Sequence, residues 1–444
     1  MSVYKARRAP ELDARSCGWA GKETGALRHV KRIFRLLLLF LLTGCACAAE
    51  KTGAEGAPLS WPTRQATLFI SSDLHWQDPS DAFRPAYLDE IIEALLDEAA
   101  RSETQTLILC GDLANNGRLE EHQAIAARLK RAQEKGLRIF VAMGNHDMDR
   151  AVPTQTLTEI YAPFGWEQAI SRDAGSMSYL AALSDELWLL SLDSNRYGDR
   201  GNGVGGIITG ETLAWVAACL ERAGEAGVMV VPFGHHNLMA QGLTESSRSL
   251  YNIEGGEALQ ALFLDWGVPL YFSGHQHGSA LNRAERDGRQ LIESVVPTPF
   301  ACPYYCAVVT FEPEGTVKHA YQTLDVEAWA GRTGREEPEF LHFTAQNQAR
   351  ARLQWEALAA QMTESMDVPA AQRAAMAEFF ADFMTQYQNH CLWQEGEQLR
   401  KDPALALWSA HAGENNYARW MPWVLESKTN DAPEQTLGPF RDEF

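Results

Sequence analysis

The chain has 444 residues, long for one compact domain and enough for a large core with an appended segment. A hydrophobic share of 45% fits a globular protein, and a formal charge of −19 at pH 7 argues against non-specific binding to duplex nucleic acid. The charge is uneven: residues 1–44 hold nine Lys/Arg against three Asp/Glu, so residues 45–444 carry −25.

Residues 1–44 read as a leader. The basic stretch 28–35 runs into the apolar stretch 36–42, too short to span a membrane and patterned as a signal peptide. Two ways of processing it stay open. Leu42-Thr43-Gly44-Cys45 resembles the bacterial lipobox, in which the cysteine is acylated, and predicts an extracytoplasmic protein anchored to the membrane by a lipid on Cys45. Ordinary cleavage near Ala46-Cys47-Ala48 predicts a secreted or periplasmic one. Residues 1–27 exceed a usual leader and are read as a misassigned start or an unstructured extension. Residues 45–65, rich in Gly, Ala and Pro, read as a tether.

Strand and helix patterns then alternate, which predicts an α/β domain over 66–325. Five apolar runs (66–70, 106–110, 138–143, 228–231 and 269–272) each lead into a short polar segment. These segments are Asp73-Leu74-His75, Gly111-Asp112, Gly144-Asn145-His146-Asp147, Gly234-His235-His236 and Gly274-His275-Gln276-His277. In open α/β sheets ligands bind beyond the carboxyl ends of strands, which is where all five fall. If the strands run on, residues two apart share a face, so Asp73 pairs with His75 and His275 with His277. Amphipathic helices are expected at 86–102, 119–135 and 212–223, a hairpin at 178–183 and 187–192, and closing strands at 289–296, 306–311 and 317–324.

Carboxylate, amide oxygen and imidazole suit Mn, Fe, Zn or Co. The set divides into two divalent ions: Asp73, His75, Asp112 and His277 around the first, and Asp112, Asn145, His235 and His275 around the second. Asp112 bridges them, about 3.5–4 Å apart, and a bridging water, its pKa lowered to about 7, attacks phosphorus in line with the leaving oxygen. His146 is not needed as a ligand and is assigned to stabilising transition-state charge or protonating the leaving group, with Asp147 orienting its imidazole. A small phosphoester is the expected substrate.

The order D-x-H, G-D, G-N-H-D, G-H-H, G-H-x-H resembles the calcineurin-like metallophosphoesterases over about residues 66–325. That resemblance implies a sandwich of two mixed sheets flanked by helices. It also matches Asp112 to the bridging aspartate, His146 to the assisting histidine and His235, rather than His236, to the lone histidine of the fourth segment. The purple acid phosphatase branch has tyrosine three residues after the bridging aspartate; here Asn115 stands there, which argues against a ferric-tyrosinate centre. The text 111–117, His235-His236-Asn237-Leu238 and a helical C-terminal extension look like a bacterial branch that includes lipoprotein-like cyclic nucleotide phosphodiesterases. The resemblance thus implies phosphodiester hydrolysis, with phosphomonoester or nucleotide hydrolysis on the same fold as the alternative and a non-catalytic metal-binding lipoprotein as a more distant one.

From residue 326 to 444 the texture becomes helix-rich and reads as a helical domain whose Trp355, Phe379, Phe380, Phe383, Trp393 and Trp408 pack a core. Three features stay open. The loop 193–209 either lines the site, with Arg196 or Arg200 meeting phosphate, or is solvated surface. The aromatics of 298–305 either approach the site and stack on a base or only pack the helical domain. Cys302 and Cys306 are a candidate disulfide if the protein lies outside the cytoplasm, whereas Cys110 reads as a small core hydrophobe.

Overall fold

The structure, a computed structural model, describes residues 59–444 apart from 82–83, 149–150, 198–203, 240–250, 389–391, 412–415, 427–433 and 441–444. The leader, Cys45 and most of the tether therefore lie outside the described residues, as do Cys17, Cys47, Arg200 and Cys391 and the side chain of Trp393.

The chain opens with β1 (Ala66–Ser71), α1 (Leu88–Arg101), β2 (Thr106–Cys110), α2 (Leu119–Glu134) and β3 (Arg138–Ala142). β1, β2 and β3 are parallel, with Phe69 opposite Leu107 and Leu107 opposite Ile139, so their carboxyl ends lie at one edge. Their near-continuous apolar text has a physical cause, since both faces are covered. Leu68, Ile70, Ile108 and Phe140 face the second sheet, while Phe69, Leu107, Leu109 and Ile139 face the helices. α1 turns Leu88, Ile91, Ile92, Leu95 and Leu96 onto that helix side. Each such side chain, fully buried, contributes about 1.5–3 kcal/mol relative to exposure.

Next come α3 (Thr154–Tyr161), β4 (Ala169–Arg172), β5 (Tyr179–Ala182) and β6 (Leu187–Leu192). β5 and β6 form the expected hairpin, Leu180 opposite Leu190. β7 (Gly206–Ile207) precedes α4 (Gly210–Ala226), which starts where the Thr209 side chain accepts from the Thr212 N–H at 3.1 Å. β8 (Met229–Gly234), β9 (Ile253–Glu254), α5 (Gly256–Trp266) and β10 (Leu270–Ser273) follow, then β11 (Ala280–Arg286), β12 (Arg289–Val295), β13 (Tyr305–Phe311) and β14 (Val317–Thr323).

Two mixed sheets result, of six strands in the order β15-β14-β13-β1-β2-β3, where β15 is Glu434–Leu437, and seven in the order β11-β12-β10-β8-β6-β5-β4. Their facing sides interlock through Leu189, Val231, Phe233, Phe272, Val309 and Phe311, all buried. α4 and α5 cover the outer face of the second sheet, with Val216, Leu220, Leu259 and Phe263 at 0% exposure. The α/β sandwich flanked by helices is the architecture the sequence led us to expect.

The helix-rich segment comprises α6 (Val326–Thr333), α7 (Phe343–Thr363), α8 (Ala370–Gln388), α9 (Leu392–Lys401), α10 (Pro403–His411) and α11 (Asn416–Glu426). Phe379, Phe380, Phe383 and Trp408 form its core, with Trp355 half-buried against them. One boundary is corrected. Helix does not continue toward residue 444, because β15 (Glu434–Leu437) returns to the first sheet and pairs antiparallel with β14, Val317 opposite Leu437. Leu437 is buried between the sheets and Phe440 packs against the same cluster, stacked on Trp61, so apolar contacts hold the return. Cys302 and Cys306 are also corrected: both thiols are free and buried, Cys302 donating to the Thr344 carbonyl and Cys306 to that of Gln322.

Candidate metal centre

All five polar segments leave the carboxyl ends of parallel strands: β1, β2 and β3 in one sheet, β8 and β10 in the other. The centre therefore sits where the two sheets present the same edge. The expected strand alternation is not what aims the side chains. β1 ends at Ser71 and β10 at Ser273, before their ligands begin. Asp73, His75, Asp112, His275 and His277 instead take left-handed backbone, with φ of 54°, 42°, 51°, 71° and 58°. Non-glycine residues there cost of order 1–3 kcal/mol each and persist where the surroundings demand it. Tight left-handed turns converge the donors more closely than an extended strand does.

The donor atoms pack at ligand spacing. His75 Nε2 lies 3.0 Å from His277 Nε2 and 3.7 Å from Asp73 Oδ1, with His277 Nε2 3.5 Å from the same Asp73 oxygen. On the other side His235 Nε2 lies 3.1 Å from both His275 Nδ1 and Asn145 Oδ1. Asp112 Oδ2 stands between the groups, 3.4 Å from His75 Nε2 and 3.2 Å from His235 Nε2. Atoms bound to one ion at about 2.1 Å lie about 3.0–3.4 Å from one another, so these spacings fit a shared cation on each side. The groupings Asp73, His75, His277 and Asp112, His235, His275 each bring their ligand atoms within 4.8 Å of one another. Gly144 lets the β3 loop come this close, because a Cβ there would collide with Asp112 Oδ1.

Hydrogen bonds to carbonyls fix the imidazole tautomers, since a carbonyl only accepts. His235 Nδ1–H donates to the Cys110 carbonyl at 2.9 Å, which makes Nε2 the atom aimed at Asp112. His75 Nδ1–H donates to the Asn115 side-chain oxygen at 3.1 Å, which aims Nε2 in the same way. His236 is different. Its Nε2–H donates to the Val204 carbonyl at 2.9 Å and its Nδ1 accepts from the Ser194 hydroxyl at 2.8 Å. Both ring nitrogens are engaged, so His236 supports the loop.

Charge reinforces the arrangement. Burial alone pushes the Asp73 carboxyl up, but the His75 imidazole, with His277 and His235 nearby, outweighs it and holds the group at about 2. Burial likewise opposes ionisation of Asp112, yet His235, His75 and His146 keep it well below the usual carboxylate range. Desolvation disfavours a charged His235, but the Asp112 carboxylate raises it to about 9. Two buried carboxylates and four close imidazoles form a donor set that divalent cations satisfy, and the residues present fit the pair of ions expected from the sequence.

His146 is exposed at the rim. Its backbone N–H donates to Asp112 Oδ1 at 2.7 Å and its Nδ1–H to the Asn115 carbonyl at 2.7 Å. The role expected of Asp147 is corrected here. Asp147 is fully buried, and its two oxygens accept from the Ala114 and Gly144 N–H groups, each at 2.8 Å. Burial, with Asp112 nearby, pushes its carboxyl up to about 7 despite these bonds. Asp147 ties the β2 and β3 loops together, and Asn115 aims His146.

Sequence reasoning missed other supports. Glu121 accepts from Asn116 N–H and Nδ2 at 2.8 Å and holds the β2 loop. Glu293 accepts from the Leu238 and Met239 N–H groups at 2.7 and 2.8 Å and from the Ser273 hydroxyl at 2.8 Å, joining the β8 and β10 loops. Nothing local in the text of β12 marks it. Arg196 turns away from the centre to the Gly205 and Gly206 carbonyls and to Glu254.

Residues 66–279, from β1 through the β10 loop, match a family model described as calcineurin-like phosphoesterase. Among solved structures, a dimetal phosphatase from Danio rerio aligns at 12% identity and a TM-score of 0.45, over 60% of this chain and 96% of that one. A purple acid phosphatase from yellow lupin (Lupinus luteus) seeds aligns at 12% identity and a TM-score of 0.41, over 60% of this chain and 53% of that one. No curated protein sequence matches.

Proposed function

Residues 66–279 of this chain match the calcineurin-like phosphoesterase family model, and from that match we propose that the protein hydrolyses small phosphodiesters, with cyclic nucleotides as the favoured class. The reading rests on one observation, the Asp112 carboxylate set between His75 Nε2 at 3.4 Å and His235 Nε2 at 3.2 Å. Asp73, His75, Asp112 and His277 would hold one ion, and Asp112, Asn145, His235 and His275 the other. When bound, two such divalent ions supply Lewis acidity toward the phosphoryl oxygens and the attacking water.

The chain's own groups do the rest. His146 donates its Nδ1–H to the Asn115 carbonyl, so Nε2 is the atom from which the imidazolium form would hand a proton to the leaving oxygen. The bond from the His146 N–H to Asp112 Oδ1 keeps that imidazole in register with the bridging carboxylate. Arg196, a cation the sequence offered to a phosphate, is engaged with Glu254 and two carbonyls.

Protein loaded with Mn is expected to turn over bis(p-nitrophenyl) phosphate faster than p-nitrophenyl phosphate. The reverse order would make it a phosphomonoesterase or nucleotidase. Asp112→Asn is expected to lose both ions by elemental analysis and to lose turnover of both esters; full retention of the ions would refute the bridge.

We also place the protein outside the cytoplasm, held to a membrane by a lipid on Cys45. The support is the text of residues 28–45 alone. No helix among the described residues is long and apolar enough to cross a membrane. Cys45→Ala is expected to move the protein from the membrane fraction to the soluble one, and a variant that stays with the membrane counts against the lipid.

A further inference from the structure

Among the described residues, the loops that build the centre leave one side uncovered. Asp73, Asp112 and His235 are 0–1% exposed, whereas His146 is exposed and the His277 side chain is 45% exposed. A substrate therefore enters past His146 and His277. Two half-buried aromatic residues from distant parts of the chain stand beside that opening.

Phe300, in the loop after β12, is set edge-on to both His75 and His277, its ring centroid 6.0 Å from each. The same loop is fastened to the centre through the Thr298 hydroxyl, which donates to the Asp73 carbonyl at 2.8 Å. Tyr304 of that segment goes the other way and packs on Phe343, ring centroids 5.3 Å apart. The aromatics of 298–305 thus divide between core and site, and Phe300 is the one at the site.

Tyr387 comes from α8. It reaches Gly278, the neighbour of His277, so closely that a Cβ at 278 would collide with its hydroxyl and lie 3.3 Å from its Cζ. Glycine at 278 is what admits the tyrosine. Tyr387 is held from behind by Trp420, ring centroids 4.9 Å apart, and by Phe383 at 6.2 Å. The helical segment therefore delivers a braced aromatic ring to the edge of the metal centre. A third ring, Tyr251, lies 5.3 Å from His275 on the far side.

We propose that Phe300 and Tyr387 are the walls of a slot that holds the flat ring of the substrate's organic group, so that the preferred substrates are phosphoesters carrying an aromatic heterocycle such as a nucleobase. The inference rests on the phosphoester-hydrolase reading above and adds to it the residues that would hold the base. The physical reason is the mismatch at the rim. Beside carboxylates and imidazoles, polar side chains would serve a purely hydrated substrate, yet large rings remain partly exposed there, where a planar apolar group is able to cover them.

The test compares adenosine 5′-monophosphate with ribose 5-phosphate, which differ only in the base, by isothermal titration into Mn-loaded protein. The base is expected to tighten binding by about tenfold or more, as a stacked base does elsewhere. Phe300→Leu and Tyr387→Ala are each expected to remove most of that preference, with metal content read in parallel by elemental analysis. Tyr387→Phe, which keeps the ring, is expected to retain it. Equal affinities in the wild-type protein, or a preference that survives Phe300→Leu and Tyr387→Ala, would overturn the slot. So would its loss in Tyr387→Phe, which would assign the effect to the hydroxyl. Because the readout is binding, a protein inactive on every diester still decides the inference, and a diesterase indifferent to the base sinks the slot alone.

Discussion

His146 and Asn115 are joined by a 2.7 Å hydrogen bond from the imidazole Nδ1–H to the backbone carbonyl, while the Asn115 side chain accepts from His75 Nδ1–H at 3.1 Å. One residue thus orients a metal ligand through its side chain and the expected proton donor through its backbone. The two functions are separable by mutation. Asn115→Ala removes the support of His75 and keeps the carbonyl that aims His146. It is expected to weaken metal binding about 10–100-fold, the usual cost of losing a partner behind a ligating histidine. Titration of the metal-free protein with Mn measures this, and unchanged affinity would show that His75 needs no such support.

His146→Ala is expected to act in the opposite sense. The bond to Asp112 Oδ1 comes from the backbone and survives the substitution. Metal content should therefore hold while kcat on bis(p-nitrophenyl) phosphate falls about 10²–10⁴-fold, the range for general acid assistance. Wild-type turnover with full metal occupancy would remove His146 from the chemistry.

The strands were legible because their text is apolar on both faces, as in β1, where Leu68 and Ile70 meet the opposite sheet and Phe69 meets the helices. The ligand segments were legible because histidine, aspartate and glycine cluster just past those runs. Their geometry was not. Period-two alternation describes extended backbone, and Asp73, His75, His275 and His277 lie beyond the strand ends in left-handed conformations set by tertiary contacts. The Asn237 side chain, which donates to the Ser273 hydroxyl at 3.0 Å and the Gly274 carbonyl at 3.2 Å, is one such contact, 37 residues away from Gly274. Asp147 misled for a related reason. Adjacency to His146 in sequence suggested a partner, but the short 3₁₀ turn Asn145–Asp147 aims its carboxylate at the Ala114 and Gly144 N–H groups. The return of β15 was hidden because four residues carry too little pattern to compete with the helices before them.

Glu293 offers a test that depends on pH. Its buried carboxyl accepts from Leu238, Met239, Ser273 and Asn282, yet burial outweighs these bonds and raises it above the ordinary glutamate value. The folded state therefore holds a proton on Glu293 over a window in which the unfolded state has lost it. In that window stability falls as pH rises, by at most about 1.4 kcal/mol per pH unit. Below about pH 4.5 both states are protonated and the effect vanishes; above the folded-state value the full cost is present. Glu293→Gln removes the titration but leaves one carbonyl oxygen for the two backbone N–H groups, at a cost of about 1–3 kcal/mol at every pH. The wild-type protein is thus expected to be the more stable near pH 4.5, with the gap narrowing as pH rises. Thermal unfolding of both proteins from pH 4.5 upward reads that gap. A difference that stays constant would show that Glu293 is ionised throughout, with its hydrogen bonds outweighing burial.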